Sequence, residues 1–254
     1  MMVDFYTFKK FSDFPQCFHA VTTKNEEEPY HFSVALHTGE NKEKIIANRK
    51  KIVSLLGWKN NIHFTIANQT HGDTIKIIDG SHHLGWEGLE DAVASCDALI
   101  TNKKDRVLSV LTADCVPILL LDTKKNVIAT IHAGWKGTHL EIVSKTIQKM
   151  IDIFDTNPKD IIAGIAPAIA MCCYEVDEDV AKYFLDIPHA YEKKGTKFML
   201  DLPYINKLQL LKGGVREENI ETSDICTSCE VEKFFSYRKE QGCSGRFMSM
   251  IGLC

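Results

Sequence analysis

Apolar residues recur at helical spacing in several stretches of the chain, and short strand-like runs lie between them. Over 41–56, "NKEKIIANRKKIVSLL", Ile45, Ile46, Ile52, Val53, Leu55 and Leu56 fall at helical intervals, with Asn41 able to cap the start and Gly57 the end. A second helix is predicted over 139–154, where Leu140, Val143, Ile147, Met150 and Ile151 form one stripe and Thr138 is the candidate cap. Shorter helices are predicted over 176–185 and over 203–212, the latter ending at "KGG". Strands are predicted at 62–69, 74–79, 97–101, 106–122, 126–133, 161–166 and 234–238, all rich in Ile, Val, Thr or aromatics. Helices and strands do not alternate strictly. The pattern therefore predicts an α+β fold, a mixed β-sheet core with surrounding helices in a single domain over 1–254.

Composition narrows the function. At 254 residues with 44% hydrophobic and 25% charged positions, the chain can bury a large core and is not of the disordered class. A net charge of -4 with no basic stripe argues against nucleic acid as partner. The N-terminus "MMVDFYTFKKFSDFPQ" lacks an apolar segment of signal-peptide length and no long apolar run follows, so the expectation is a cytoplasmic protein without a membrane span. Nine cysteines in such a chain predict reduced thiols rather than a disulfide framework. "KNEEEPY" (24–30) reads as an exposed loop. Monomer and homodimer are equally open.

The chemistry begins at "TADCVPILLLD" (112–122), where Asp114 and Cys115 open an otherwise apolar run. Packing gives a buried strand no use for a charge. If "DTKKNV" turns the chain into an antiparallel hairpin with 122 opposite 127, His132 faces Pro117. Cys115 is then the diagonal neighbour of His132 on the same face, with β-carbons about 7 Å apart. His71 in "NQTHGD" ends another strand beside Gly72. Two histidines, one cysteine and an open fourth position form the ligand set of a catalytic rather than a structural zinc, able to polarise a substrate group or activate water. On spacing alone Cys115 can equally be inert packing or a nucleophile.

"HAGWKGT" (132–138) follows His132 with two glycines that permit close backbone approach before a helix starting near Thr138, and Lys136 adds a positive charge that could meet an anion. A solvated lysine in a tight connection explains the same residues. "CTSC" (226–229) has the spacing of half a zinc knuckle, but with no second C-x-x-C a four-thiolate site is not expected. "CCYEV" (172–176) reads as inert packing beside the pocket.

Six ordered blocks, "NQTHGD", "CDALIT", "LTADCVPILLLD", "IHAGWKGT", "IAPAIAMCCYEV" and "FFSYRKEQGCSGR", resemble the bacterial laccase-domain proteins. These are also called multicopper polyphenol oxidase-like, and were reassigned as purine nucleoside phosphorylases with adenosine deaminase and methylthioadenosine phosphorylase activity. The likeness runs from "ALHTGENKEKIIANR" near residue 35 almost to the C-terminus. It implies a single-domain α+β fold, purine nucleosides and phosphate as substrates, and zinc as cofactor, with His71 from "THG", Cys115 from "TADC" and His132 from "HAGW" as ligands. Lys136 stands where the family usually has arginine, which keeps charge but loses the planar fork. "APAIA" replaces the commoner "GPAIG". Arg49, Lys136, Arg238 and Arg246 are the candidates for phosphate and nucleoside contacts. Asp114 is a candidate for orienting a ligand or carrying protons, although a regular strand would aim it at the opposite face.

Three rival readings are a copper-dependent polyphenol oxidase, a cysteine hydrolase or deamidase using Cys115 and His132, and a zinc-binding interaction module without turnover. The ten histidines contain no His-x-His pair, which counts against a multicopper relay and leaves copper the less expected metal.

Overall fold

The computed structural model describes residues 4–57, 62–80, 83–242 and 244–253. In chain order the strands and α-helices are β1 (Phe5–Tyr6), β2 (Cys17–Thr22), α1 (Lys42–Leu55), β3 (His63–Ile66), β4 (Ile75–Ile77), β5 (Ala98–Thr101), β6 (Arg106–Thr112), β7 (Val116–Asp122), β8 (Val127–Ala133), α2 (Trp135–His139), α3 (Ile142–Phe154), β9 (Ile161–Ile165), β10 (Glu175–Val176), α4 (Glu178–Ala181), β11 (Tyr191–Lys194), β12 (Lys197–Leu200), α5 (Leu202–Lys212), β13 (Ile220–Thr222) and β14 (Phe247–Leu253). They form a five-stranded sheet, β1-β2-β14-β6-β3, a six-stranded sheet, β13-β9-β7-β8-β5-β4, and a small sheet, β10-β12-β11.

The two larger sheets face each other. Period-two alternation assigns each side chain to a layer. Leu119, Leu121, Ile128 and Leu99 of the six-stranded sheet meet Leu108, Phe247 and Ile251 of the other in one cluster. Ile118, Leu120, Ala129 and Ile131 point the other way and are covered by Ile142, Val143, Ile147 and Met150 of α3 and by Ile205 and Leu210 of α5. On the outer face of the five-stranded sheet, Val107, Leu111, Met248 and Met250 pack with Ile52 of α1, Phe64 and Trp86. Helices therefore flank a pair of stacked sheets in one compact α+β domain, as the sequence pattern predicts.

Local rules explain the helix ends. The Asn41 side chain accepts from the Lys44 N–H, and Gly57 closes the same helix in the left-handed region at φ +63°. Asp201 caps α5 by accepting from the Tyr204 N–H, with Pro203 in the first turn. The buried face of α1 carries two polar residues because they tie down loops. Asn48 Nδ2 donates to Pro29 O and Ser33 O, and Arg49 donates to Val34 O, Gly85 O and Trp86 O.

Several expected elements are corrected. The run 106–122 is two strands in different sheets, broken where Asp114 takes φ +86°. The helix expected over 139–154 begins at Ile142 behind Glu141, which sits at φ +58°, and Thr138 belongs instead to the short α2. Leu140 is exposed between the two. The helix expected over 176–185 is reduced to the single turn of α4, and 234–238 is loop whose Phe234 and Phe235 are buried by packing alone. Of the ten histidines, His82 lies outside the described residues. Among the described residues no helix is long and apolar enough to cross a membrane.

His19 on β2 gives the fold a pH response. Its Nε2 accepts from the Phe8 N–H at 2.7 Å, its ring packs against Phe8 and Phe11, and burial pulls its pKa down to about 4. The folded protein needs the neutral ring while the unfolded chain takes up a proton below about 6.5, so this contribution is complete above that pH and drains away towards pH 4. The full effect is about 3 kcal/mol. Urea unfolding of wild type and His19→Gln is expected to show the variant losing less stability between pH 7 and pH 4.5, since glutamine keeps an acceptor without a titrating ring.

Candidate metal centre and its cavity

Two corners between the facing sheets build the site. The chain leaves β6 of one sheet at Thr112 and enters β7 of the other at Val116, so Ala113, Asp114 and Cys115 form a crossover. It likewise leaves β3 and enters β4 through the segment that holds His71, whose φ is +59°. The β7–β8 hairpin has the register expected from sequence, with Asp122 opposite Val127 and Pro117 opposite His132. His132 shares the inter-sheet face with Thr130 and Ile128, at the end of β8 where the corners meet.

As a result one donor atom each from His71, Cys115 and His132 lies within 4.8 Å of the others. The two imidazoles meet nearly edge to face, with ring centroids 4.7 Å apart. Asp97, fully buried at the start of β5, organises them. Its carboxylate accepts from the N–H groups of Thr70, His71 and Gly72 and from the Thr70 hydroxyl, while Nδ1 of His132 donates to it at 2.8 Å. That bond leaves Nε2 of His132 as the free nitrogen, the arrangement in which an imidazole binds a metal. Sequence reasoning passed over Asp97, although an aspartate opening the apolar strand "DALIT" was the available signal.

Charge follows from this geometry. Burial opposes ionisation at all three groups. For Asp97 it is outweighed by His132, by Gly72 N–H and by Thr70, which bring its pKa down to about 2. For Cys115, His132 and His71 overcome burial and lower the thiol to about 6, while Cys115 and Asp97 raise His132 to about 9. Each group thus favours the charged form of the other, and a divalent cation held there would compete with protons for the thiolate and for Nε2 of His132. Gly134 completes the fit, because a β-carbon there would stand 3.1 Å from His71 Cδ2 and 3.2 Å from Cys115 Sγ. A β-carbon at Gly137 would likewise press on Gly72 O at 2.9 Å.

The centre opens into a cavity of about 650 Å³. Asp114, Arg49, Arg238 and Arg246 line it, as do Trp135, Tyr174 and Tyr237. Lys136 does not: it is exposed, with its ammonium 5.4 Å from the Trp135 ring. Asp114 is buried, and its carboxylate accepts from Thr227 Oγ1 and from the Arg238 N–H, both at 2.7 Å. Its positive φ makes this possible, so the regular-strand expectation that aimed it away from Cys115 does not apply. Arg49 is fully buried with its Nη2 unpartnered. Arg246 donates to Ser244 O and Gly245 O, and Arg238 donates to Glu175 O across the Tyr174 ring.

The family profile described as "Multi-copper polyphenol oxidoreductase laccase" matches residues 18–254. The chain belongs to this laccase-like family. Among its members, the protein named purine nucleoside phosphorylase YlmD of Bacillus subtilis (strain 168) is 31% identical over 242 residues, covering 91% of this chain and 87% of that one. Purine nucleoside phosphorylase CA_C1699 of Clostridium acetobutylicum is 37% identical over 231 residues, covering 87% and 91%. The crystal structure of Bacillus licheniformis hypothetical protein YfiH superposes with a TM-score of 0.92 at 34% identity, over 98% of this chain and 96% of that one. YlmD from Geobacillus stearothermophilus superposes at 0.89 and 30%, over 94% and 93%.

Proposed function

We propose that this laccase-like protein is a purine nucleoside phosphorylase that also deaminates adenosine, with His71, Cys115 and His132 holding one zinc ion. The observation that carries the reading is the joining of three metal donors with the buried Arg49, the half-buried Arg246 and the exposed Arg238 in one cavity of nucleoside size, in a chain whose relatives are named purine nucleoside phosphorylases. Two neutral imidazoles and a thiolate suit zinc, and copper would take the same donors. A zinc ion there would supply Lewis-acid polarisation of a substrate atom or of water.

The chain's own residues account for the remainder. Phosphorolysis needs an anion held against the ribose, and the unpartnered Nη2 of Arg49 and the guanidinium of Arg246 supply charge where burial strengthens it. The rings of Trp135, Tyr174 and Tyr237 offer flat surfaces for a purine. Asp114 positions the Arg238 backbone and, beside Cys115, stands where a carboxylate could accept or return a proton. The substrates inferred are adenosine, inosine, guanosine and methylthioadenosine.

The Cys115–His132 pair by itself also fits a cysteine nucleophile. A third donor converging on the same point, with Asp97 orienting its partner, favours an ion. An oxidase relay finds no support, because among the described residues the second donor group contains cysteines alone. The test is base release from inosine and adenosine by metal-replete protein with and without phosphate. Equimolar base and ribose 1-phosphate in the presence of phosphate, and ammonia from adenosine in its absence, are expected. Metal-replete protein that turns over none of the four nucleosides overturns the reading.

A further inference from the structure

The second donor group lies in the two loops that follow β9 and β13, on "CCYEV", which reads as packing from sequence, and on "CTSC", whose half-knuckle spacing gives no expectation of a four-thiolate site. The loops are joined through backbone: Thr227 N–H donates to Ala168 O and Ala168 N–H to Ile225 O. Each makes a tight turn that carries cysteines, closed by Cys173 N–H to Ala170 O in one and by Cys229 N–H to Cys226 O in the other. Facing each other, these turns bring the sulfurs of Cys172, Cys173, Cys226 and Cys229 within 4.8 Å of one another.

Three of the separations are 3.5, 3.7 and 3.8 Å. Four sulfurs at about 2.3 Å from a tetrahedral zinc stand about 3.8 Å apart, so the spacing is that of one ion's coordination shell. A cluster of several irons spreads its thiolates over more than one metal and needs them further apart. The Cys226 sulfur also accepts from the Ala170 N–H at 3.4 Å, with the N–H groups of Ser228 and Cys229 bearing on it as well. Backbone donors aimed at a sulfur stabilise thiolate, the form that binds metal. Inert packing has no need of them.

We propose that Cys172, Cys173, Cys226 and Cys229 bind one zinc ion in a closed four-thiolate site, separate from the centre at His71, Cys115 and His132. With all four positions taken by protein, the ion has no vacancy for substrate, and its role is structural. It clamps the loops that deliver Ile169, Tyr174, Tyr237 and Arg238 to the cavity wall. Thr227, between the two cysteines of the second turn, reaches Asp114 directly. The clamp therefore sets the position of a cavity carboxylate.

The test is zinc per chain in protein purified under reducing conditions without chelator. Two equivalents are expected in wild type and one in Cys115→Ala, whose remaining ion belongs to the four-thiolate site. The double variant Cys226→Ser/Cys229→Ser should also hold one, now at the other centre. Because that variant can fail to fold, wild type is also alkylated in its native state and mapped by mass. Cys172 and Cys229 are exposed and Cys173 half-buried, yet all three should resist labelling until the ion is stripped, and then react together. Zinc-free Cys115→Ala, free labelling of these thiols in metal-replete protein, or their recovery as a disulfide would overturn the proposal.

Discussion

Cys115→Ala is expected to lose the ion of the cavity centre and, with it, nucleoside turnover, while keeping its fold. The thiolate is the charged donor among the three, and removing it leaves two imidazoles to hold a divalent cation. Partners that merely orient a ligand are worth 10–100-fold in affinity or activity, and a ligand itself exceeds them, so residual turnover should fall below about 1%. Cys115 occupies a partly exposed corner between β6 and β7, not a closed layer of the core, so circular dichroism of metal-free wild type and variant should coincide. Thermal unfolding of the metal-free variant should come somewhat earlier, because His132 loses the sulfur that favours its protonated form. Alkylation separates ligand from nucleophile. A metal-bound thiolate should react slowly with iodoacetamide and quickly after chelation, whereas a nucleophile should be modified, or trapped as a covalent substrate adduct, without metal. Normal zinc content and turnover in Cys115→Ala would return the residue to inert packing.

How far this centre can be read from sequence depends on whether each constraint is local. The β7–β8 register follows from one short turn, and it places Cys115 beside His132 with no knowledge of the rest of the fold. His71 comes from a different sheet corner, so residue type made it a candidate third ligand but no spacing placed it near the other two, and the family likeness added the support that spacing lacked. The four cysteines are harder still. Cys173 and Cys229 are 56 residues apart and meet because β13 pairs in parallel with β9, which brings their following loops together. A vicinal pair opposite a C-x-x-C also breaks the expectation of two matching knuckles. Strand β14 was missed for another reason. "FMSMIGL" lies between β2 and β6 with both faces buried, so it shows no alternation, and methionine and glycine give no strand signal of their own. The opposite error made a strand of "FFSYR", whose aromatics fill space between elements without joining a ladder.

Asp97→Asn should separate the orienting function from ligation itself. The side chain keeps its shape, but every group around the carboxylate is a donor: three backbone N–H groups, the Thr70 hydroxyl and His132 Nδ1. Asparagine turns one acceptor into an NH2 that faces donors, so at least one buried N–H loses its partner at a cost of about 1–3 kcal/mol. His132 also loses the negative charge that holds its proton on Nδ1 and makes Nε2 the better ligand. Zinc affinity, measured by competition with a chromogenic chelator, should fall 10–100-fold with all three ligands still present. The pH dependence identifies the cause. With the folded pKa held down near 2, the carboxylate contributes stability that is complete above the unfolded value of about 3.8 and is lost as pH falls through 2. The gap in unfolding free energy between metal-free wild type and Asp97→Asn should therefore be level between about pH 4.5 and 6, narrow by about 2 kcal/mol below that window, and narrow again as pH rises towards 9, where His132 gives up the proton that Asp97 helps to hold. A gap that ignores acid would mean that shape, and not charge, is what Asp97 provides to the centre.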